Sequence, residues 1–192
     1  MRKLIAFLPL LVLPVWSQAL RVLDRPSVLP ALNHRLNVEF AGAVKTNPEG
    51  LVSSGLLSRP LALGLHDSGL NVDFSAGYVR FSESGVVCGG LAHDTVLNVP
   101  LVTAGTPKEQ SKAVKFKAGT FICVGGGGLV YGGTLAEQTT LTSSLNQPDF
   151  LSVTFAKDTE VHYTFSHDWV AGPGKIAQAY QADRQQLLGG GH

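Results

Sequence analysis

The chain has 192 residues with 15 Lys and Arg against 14 Asp and Glu, and only 15% of it is charged, against ~25% for an ordinary soluble domain. Its length suits one domain with a core of its own, and its near-neutral balance gives no electrostatic reason for a nucleic-acid or anionic-lipid partner. Low charge with 22 glycines fits a β-rich extracellular protein.

Residues 1–19 read as a cleaved signal peptide. Arg2 and Lys3 form a positive start, Leu4 to Val15 is apolar apart from Pro9 and Pro14, and Ser17-Gln18-Ala19 places small residues around a cut. A membrane-spanning helix would need ~20 uninterrupted apolar residues, so stable membrane insertion is not expected. Loss of Arg2 and Lys3 leaves 13 cations against 14 acids. The expected location is secreted, periplasmic or cell-surface. Residues 20–35, with Pro26 and Pro30, read as an extended lead-in to a β domain over 36–171.

Within that domain, side-chain alternation with a period of two recurs. Leu36, Val38 and Phe40 alternate with Asn37 and Glu39. Leu61, Leu63 and Leu65 lead into the turn His66-Asp67-Ser68-Gly69, and Leu70, Val72 and Phe74 return. A second hairpin runs from Tyr78–Phe81 through Ser82-Glu83-Ser84-Gly85 to Val86–Leu91. Thr95 to Val102 is nearly all apolar and reads as a central strand buried on both faces, with Pro100 marking a bulge or an edge near its end. After a polar loop, Val114 and Phe116 alternate with lysines, and Ala118-Gly119 turns into Thr120–Val124. The last pair is Leu151, Val153, Phe155 and Val161, Tyr163, Phe165 around a turn at residues 156–159.

About ten short strands with regular turns predict an all-β, antiparallel sandwich of immunoglobulin-like or jelly-roll type. An outer-membrane barrel would want longer strands and aromatic girdles. Residues 172–192 form a tail: Ile176–Leu188, between Gly172-Pro173-Gly174 and Gly189, is either a short helix or a frayed end.

Cys88 and Cys123 are the two cysteines, and export favours a disulfide between them. It would stabilise the fold by ~3–4 kcal/mol through loop entropy. Redox catalysis would more typically show Cys-x-x-Cys spacing.

Three of the six histidines precede an aspartate: His66-Asp67, His93-Asp94 and His167-Asp168. His beside Asp suits a general base or a metal ligand, but strand neighbours point to opposite faces, and all three pairs sit where turns select Asp for local reasons. His66, His93, His167 and Asp168 are therefore candidates for catalysis only if they converge. No metal-ligand spacing occurs, and no metal or cofactor is expected. Trp169, beside His167 and Asp168, either binds a ligand or closes a strand end over the core. The glycine cluster Gly125–Gly128 lacks the lysine and the helix of a phosphate loop and reads as a loop or a close backbone approach.

Val38-Glu39-Phe40-Ala41-Gly42-Ala43-Val44 resembles the first-strand pattern Val-x-Phe-x-Gly-x-Val of chaperone–usher fimbrial (pilus) subunits. The resemblance implies an incomplete immunoglobulin-like sandwich, completed by an N-terminal strand from the next subunit. Cys88 lies further beyond Val44 than that family's first cysteine does, and the chain does not end in a strand with a penultimate tyrosine.

The reading that follows is an exported non-enzymatic module for surface attachment or assembly, partnered by other protein subunits, a surface ligand or copies of itself. The alternatives are a small secreted hydrolase using the His-Asp pairs and a secreted β-rich toxin.

Overall fold

A computed structural model describes residues 18–32, 36–65, 69–101, 110–125, 127–143, 151–164 and 168–189. The described chain forms an antiparallel β-sandwich, not closed into a barrel, with one C-terminal helix.

The chain first meanders through β1 (Ala19–Pro30), β2 (Asn37–Thr46), β3 (Val52–Leu57), β4 (Leu61–Leu65), β5 (Leu70–Phe81) and β6 (Val87–Leu91). β3 and β4 are two stretches of one arm facing the long β5: Leu57 pairs with Gly77 and Leu61 with Phe74. Three residues, Ser58-Arg59-Pro60, thus oppose two, Ser75 and Ala76. Pro60 has no N–H for the ladder, so the arm bulges there. Glu39 takes up the slack, accepting from Ser58 Oγ at 2.7 Å and pairing with Arg59 at 3.5 Å. Within the stretch read as a 20–35 lead-in, the chain up to Pro30 belongs to β1, a strand of the sheet, with Leu20 opposite Lys45 and Val28 opposite Glu39.

After β6 the chain crosses to a second layer as β7 (Thr95–Leu101) and β8 (Gln110–Phe116), then returns as β9 (Phe121–Val124) and β10 (Val130–Thr134). It crosses again as β11 (Thr139–Ser143) and β12 (Leu151–Phe155) before β13 (Glu160–Tyr163) and β14 (Trp169–Ala171) finish the large sheet. The order is β1-β2-β3-β5-β6-β9-β10-β13-β14, with β4 beside β5; β7–β8 and β11–β12 are separate two-stranded sheets.

Two local expectations change. The described part of the Thr95–Val102 run, Thr95–Leu101, is not buried on both faces: β7 forms its ladder with β8, with a single bridge from Asn98 to Leu129, and Val96 is 60% exposed. A run of apolar residues leaves single-face burial unreadable until the partner strands are known. The last apolar pair is not a hairpin either, since β12 pairs with β11 and β13 with β10 and β14. The connection at 156–159 is an arch between layers, fastened to Leu135 by Leu135 N–H to Thr159 O and Asp158 N–H to Leu135 O, both 3.0 Å. The hairpins at 61–74 and 78–91 form as expected, the second with Ser82 Oγ accepting from Val86 N–H and Gly85 at φ 80°.

The main core lies between the layers. Phe40, Phe74, Phe81 and Phe116 are its largest fully buried side chains. Three of them are seated on glycines: a Cβ built at Gly55 would lie 2.8 Å from the Phe40 ring, at Gly89 2.7 Å from Phe74, and at Gly133 2.8 Å from Phe116. These three glycines mark inner-face positions where a ring approaches the sheet backbone closely. Gly125 and Gly128 instead lie between β9 and β10, with Gly128 N–H bonded to Gly125 O at 2.9 Å.

Gly89→Ala should therefore cost about 1–3 kcal/mol by overpacking, read as a lower urea midpoint at unchanged slope. Gly127→Ala, where an added Cβ meets nothing within 4 Å, should stay within about 0.5 kcal/mol.

Candidate functional site

His66 and His167 lie outside the described residues. His93 is exposed at the end of β6, and its carbonyl accepts from Thr95 Oγ1 at 2.8 Å. Asp94 holds the β8–β9 turn: its carboxylate accepts from Ala118 N–H at 2.8 Å and has Lys115 Nζ at 3.7 Å. The backbone bond and that cation outweigh burial and hold its carboxyl below the ordinary value. Asp168 is buried, and its backbone closes the turn after β13 through Thr164 N–H to Asp168 O at 2.9 Å. Trp169 is 3% exposed, with its indole N–H on Pro100 O at 3.1 Å. It ends an aromatic row in which Tyr163 is 5.3 Å from Trp169 and 6.5 Å from Tyr131, and so takes the core-closing place. Among the described residues no three His, Cys, Asp or Glu side chains are grouped to hold a metal.

The structure gathers a different set on the outer face of the large sheet. Register places one residue from each of eight strands in a single row: Lys45, Ser54, Arg80, Cys88, Cys123, Gly132, His162 and Val170. Directly opposed residues share a face, so this row runs across the strands. Cys88 and Cys123 are opposed within it and disulfide-bonded, with Cα atoms 4.2 Å apart.

A helix, α1 (Lys175–Gly189), lies across the row. Its start is set on His162: Gly172 adopts φ 97°, its carbonyl accepts from His162 Nδ1–H at 2.8 Å, and Gly174 lies against the imidazole so closely that a Cβ would fall 2.7 Å from the ring. Only glycine gives both that backbone and that approach. Midway, the Tyr180 ring packs 4.7 Å from Tyr78 and 4.6 Å from Phe121, and its hydroxyl donates to Tyr78 O at 3.1 Å. Tyr78, Cys88, Cys123, Tyr180 and Leu187 form a second buried cluster, edged by Ala43, Leu56, Val86 and Phe121.

Asp183 closes the far end. Lys45 Nζ donates to its Oδ1 and the Tyr78 hydroxyl to its Oδ2, and Lys45 also donates to Gln186 Oε1 at 2.8 Å. Burial alone would raise the Asp183 carboxyl; the bonds from Lys45 and Tyr78, with the nearby Ser54 hydroxyl and the Lys45 charge, hold it below its ordinary 3.8. Tyr78 moves the opposite way: burial first, then its bond to Asp183, lifts its hydroxyl well above the usual range, against Ser54 and Arg80. Burial also pushes Tyr180 up to about 12, opposed by Arg184. The Ser54 hydroxyl is fully buried and meets no partner at hydrogen-bonding geometry among the described residues.

Chemically this is a clamp. Both oxygens of Asp183 are occupied and the carboxyl stays ionised, while Tyr78 stays protonated and serves as a donor. Neither is poised to exchange protons near neutrality. The sequence reading missed Lys45, Ser54, Tyr78 and Asp183 because the cluster spans strands far apart in the chain. Its one local signal is the helical spacing Ala177, Tyr180, Asp183, Leu187, a single stripe facing the sheet.

Compared with known protein families, curated proteins and solved structures, the chain matches none.

A carboxyl depressed on folding stabilises above its unfolded pKa, and that contribution is lost as pH falls through the folded value. Docking of α1 should thus hold from neutrality to about pH 4 and weaken below it. The groups facing Asp183 are Lys45, Tyr78 and Ser54, all from the sheet. Near-UV circular dichroism of the tyrosine cluster should show this acid step, and Asp183→Asn should remove it.

Proposed function

We propose that this protein is an exported, non-enzymatic β-sandwich module that attaches or assembles through the open edge of its large sheet at β1. One observation carries the reading. Of seven exposed large apolar side chains among the described residues, Leu20, Val22 and Val28 all stand on β1, at 48%, 66% and 62% exposure. They pair with Lys45, Ala43 and Glu39, which places all three on the outer face, beside the Ala43 edge of the helix-covered cluster. An apolar strip along an edge strand is what one β-sheet offers another, or a flat partner surface.

The same strand is restrained. Pro26 and Pro30 lack an N–H, Asp24 and Arg25 are exposed, and the register shifts between Leu23 and Ser27. These features leave two short stretches, Ala19–Leu23 and Ser27–Leu29, for pairing, which suits a limited contact rather than runaway sheet growth. β1 already completes its own chain's sheet against β2. The partner therefore adds to β1's free side, another subunit, a second copy or a surface ligand, and β1 itself is not given away. The Cys88–Cys123 bridge favours an oxidising compartment, secreted or periplasmic.

Introducing charge on the strip tests this. The Val22→Lys, Val28→Lys double variant should keep the wild-type melting temperature while losing self-association in light scattering over a concentration series, or losing attachment to the exporting host's surface. A wild-type protein that stays monomeric, with host attachment untouched by the double variant, would overturn the reading.

A further inference from the structure

The disulfide and the helix form a single device. Both cysteines point from the outer face of the sheet, and the inner face behind them is filled by Val87, Val124 and Ile122 of the core. A thiolate must approach a disulfide sulfur directly to exchange with it. At Cys88 and Cys123 the open side is the helix side, and there Tyr180 and Leu187 pack over the bond within one buried cluster.

What holds that cover is slight. α1 buries three residues, Ala177, Tyr180 and Leu187, and its main polar anchor is Asp183 between Lys45 and Tyr78. Its other end pivots on Gly172-Pro173-Gly174, where both glycines rest against His162. A helix of 15 residues is marginal by itself in water, and lifting it breaks no strand pairing. Opening the strap therefore takes far less than opening the sheet.

We propose that α1 is a strap that gates the Cys88–Cys123 disulfide: it undocks about Gly172–Gly174, and only from that undocked state does the bond exchange with an external dithiol. One thiolate of the dithiol attacks a cysteine sulfur, the S–S bond breaks, and the other cysteine leaves as a thiolate. The reagent's second thiol then attacks the mixed disulfide, releasing two cysteine thiols and the oxidised, cyclised reagent. The gate operates whether or not the β1 edge is occupied.

The test follows disulfide reduction of the full-length oxidised protein by excess dithiothreitol, quenched by alkylation and read by mass. Asp183→Asn removes the charged anchor without touching either sulfur and should speed reduction about tenfold or more, the effect of losing charge-assisted hydrogen bonds. Gln185→Ala, on the exposed side of α1, should match the wild type. In low urea the rate should climb with a slope well below that of global unfolding, since only a helix is exposed. If Asp183→Asn fails to fold, Lys45→Met takes its place with the same expectation. Equal rates in anchor variant and wild type, or a urea slope equal to the global one, would overturn the gate.

Discussion

The pairing of β6 with β9 is the joint on which the large sheet depends. On one side of it lie β1 to β5, and on the other β10, β13 and β14, with no other strand pairing between the two halves among the described residues. The residues between β6 and β9 leave for the second layer as β7 and β8, so the joint must close over a long excursion. Loop closure of that length is an entropic cost paid before the sheet's contacts form. The Cys88–Cys123 bond sits at the register position where the strands meet, 35 residues apart in sequence, and removes most of that cost from the unfolded chain. It also fixes register, because a slip of one residue would turn Ile122 and Val124 out of the core.

Two faces of the joint are then covered by different means. Inside, Val87, Val124 and Ile122 join the interlayer core, where aromatic rings lie against glycines. Outside, the 15-residue helix covers Tyr78, Phe121 and the disulfide. The cover is held by side chains: the Tyr180 stack with its hydroxyl bond to Tyr78 O, the apolar Ala177 and Leu187, and the bonds from Lys45 and Tyr78 to Asp183 and from Lys45 to Gln186. That division places the least firmly held element over the most chemically reactive bond.

The fold class was legible because turn chemistry and period-two alternation act locally. The β4–β5 and β5–β6 hairpins are announced by His66–Gly69 and Ser82–Gly85, and β2 by Val38 and Phe40. Other strands hid for physical reasons. β3 reads Val-Ser-Ser-Gly-Leu-Leu, with Ser53 and Ser54 buried, so polarity does not mark its outward face. β10 carries Gly132 and Gly133 where alternation would want side chains, because Gly133 makes room for Phe116. The candidate site was less legible still. The histidine-aspartate pairs stand out in sequence, and Asp94 turns out to hold a turn, whereas Lys45, Tyr78 and Asp183 are unremarkable until register and a helix bring them together.

The helix and the β1 edge bear on one another through β2. Lys45, the cation that anchors Asp183, lies opposite Leu20, and Ala43, at the rim of the covered cluster, lies opposite Val22. A partner on the apolar strip of β1 would therefore sit one strand from the Lys45–Asp183 anchor of the helix. A partner seated there would lower the local dielectric around Lys45 and Asp183 and strengthen an interaction that is already partly buried, with side chains 12% and 18% exposed. Occupation of the edge and closure of the helix would then favour each other, since two events that each stabilise the same arrangement of β2 are coupled reciprocally. The coupling requires nothing beyond the shared strand: one face of β2 presents Ala43 and Lys45 to both neighbours.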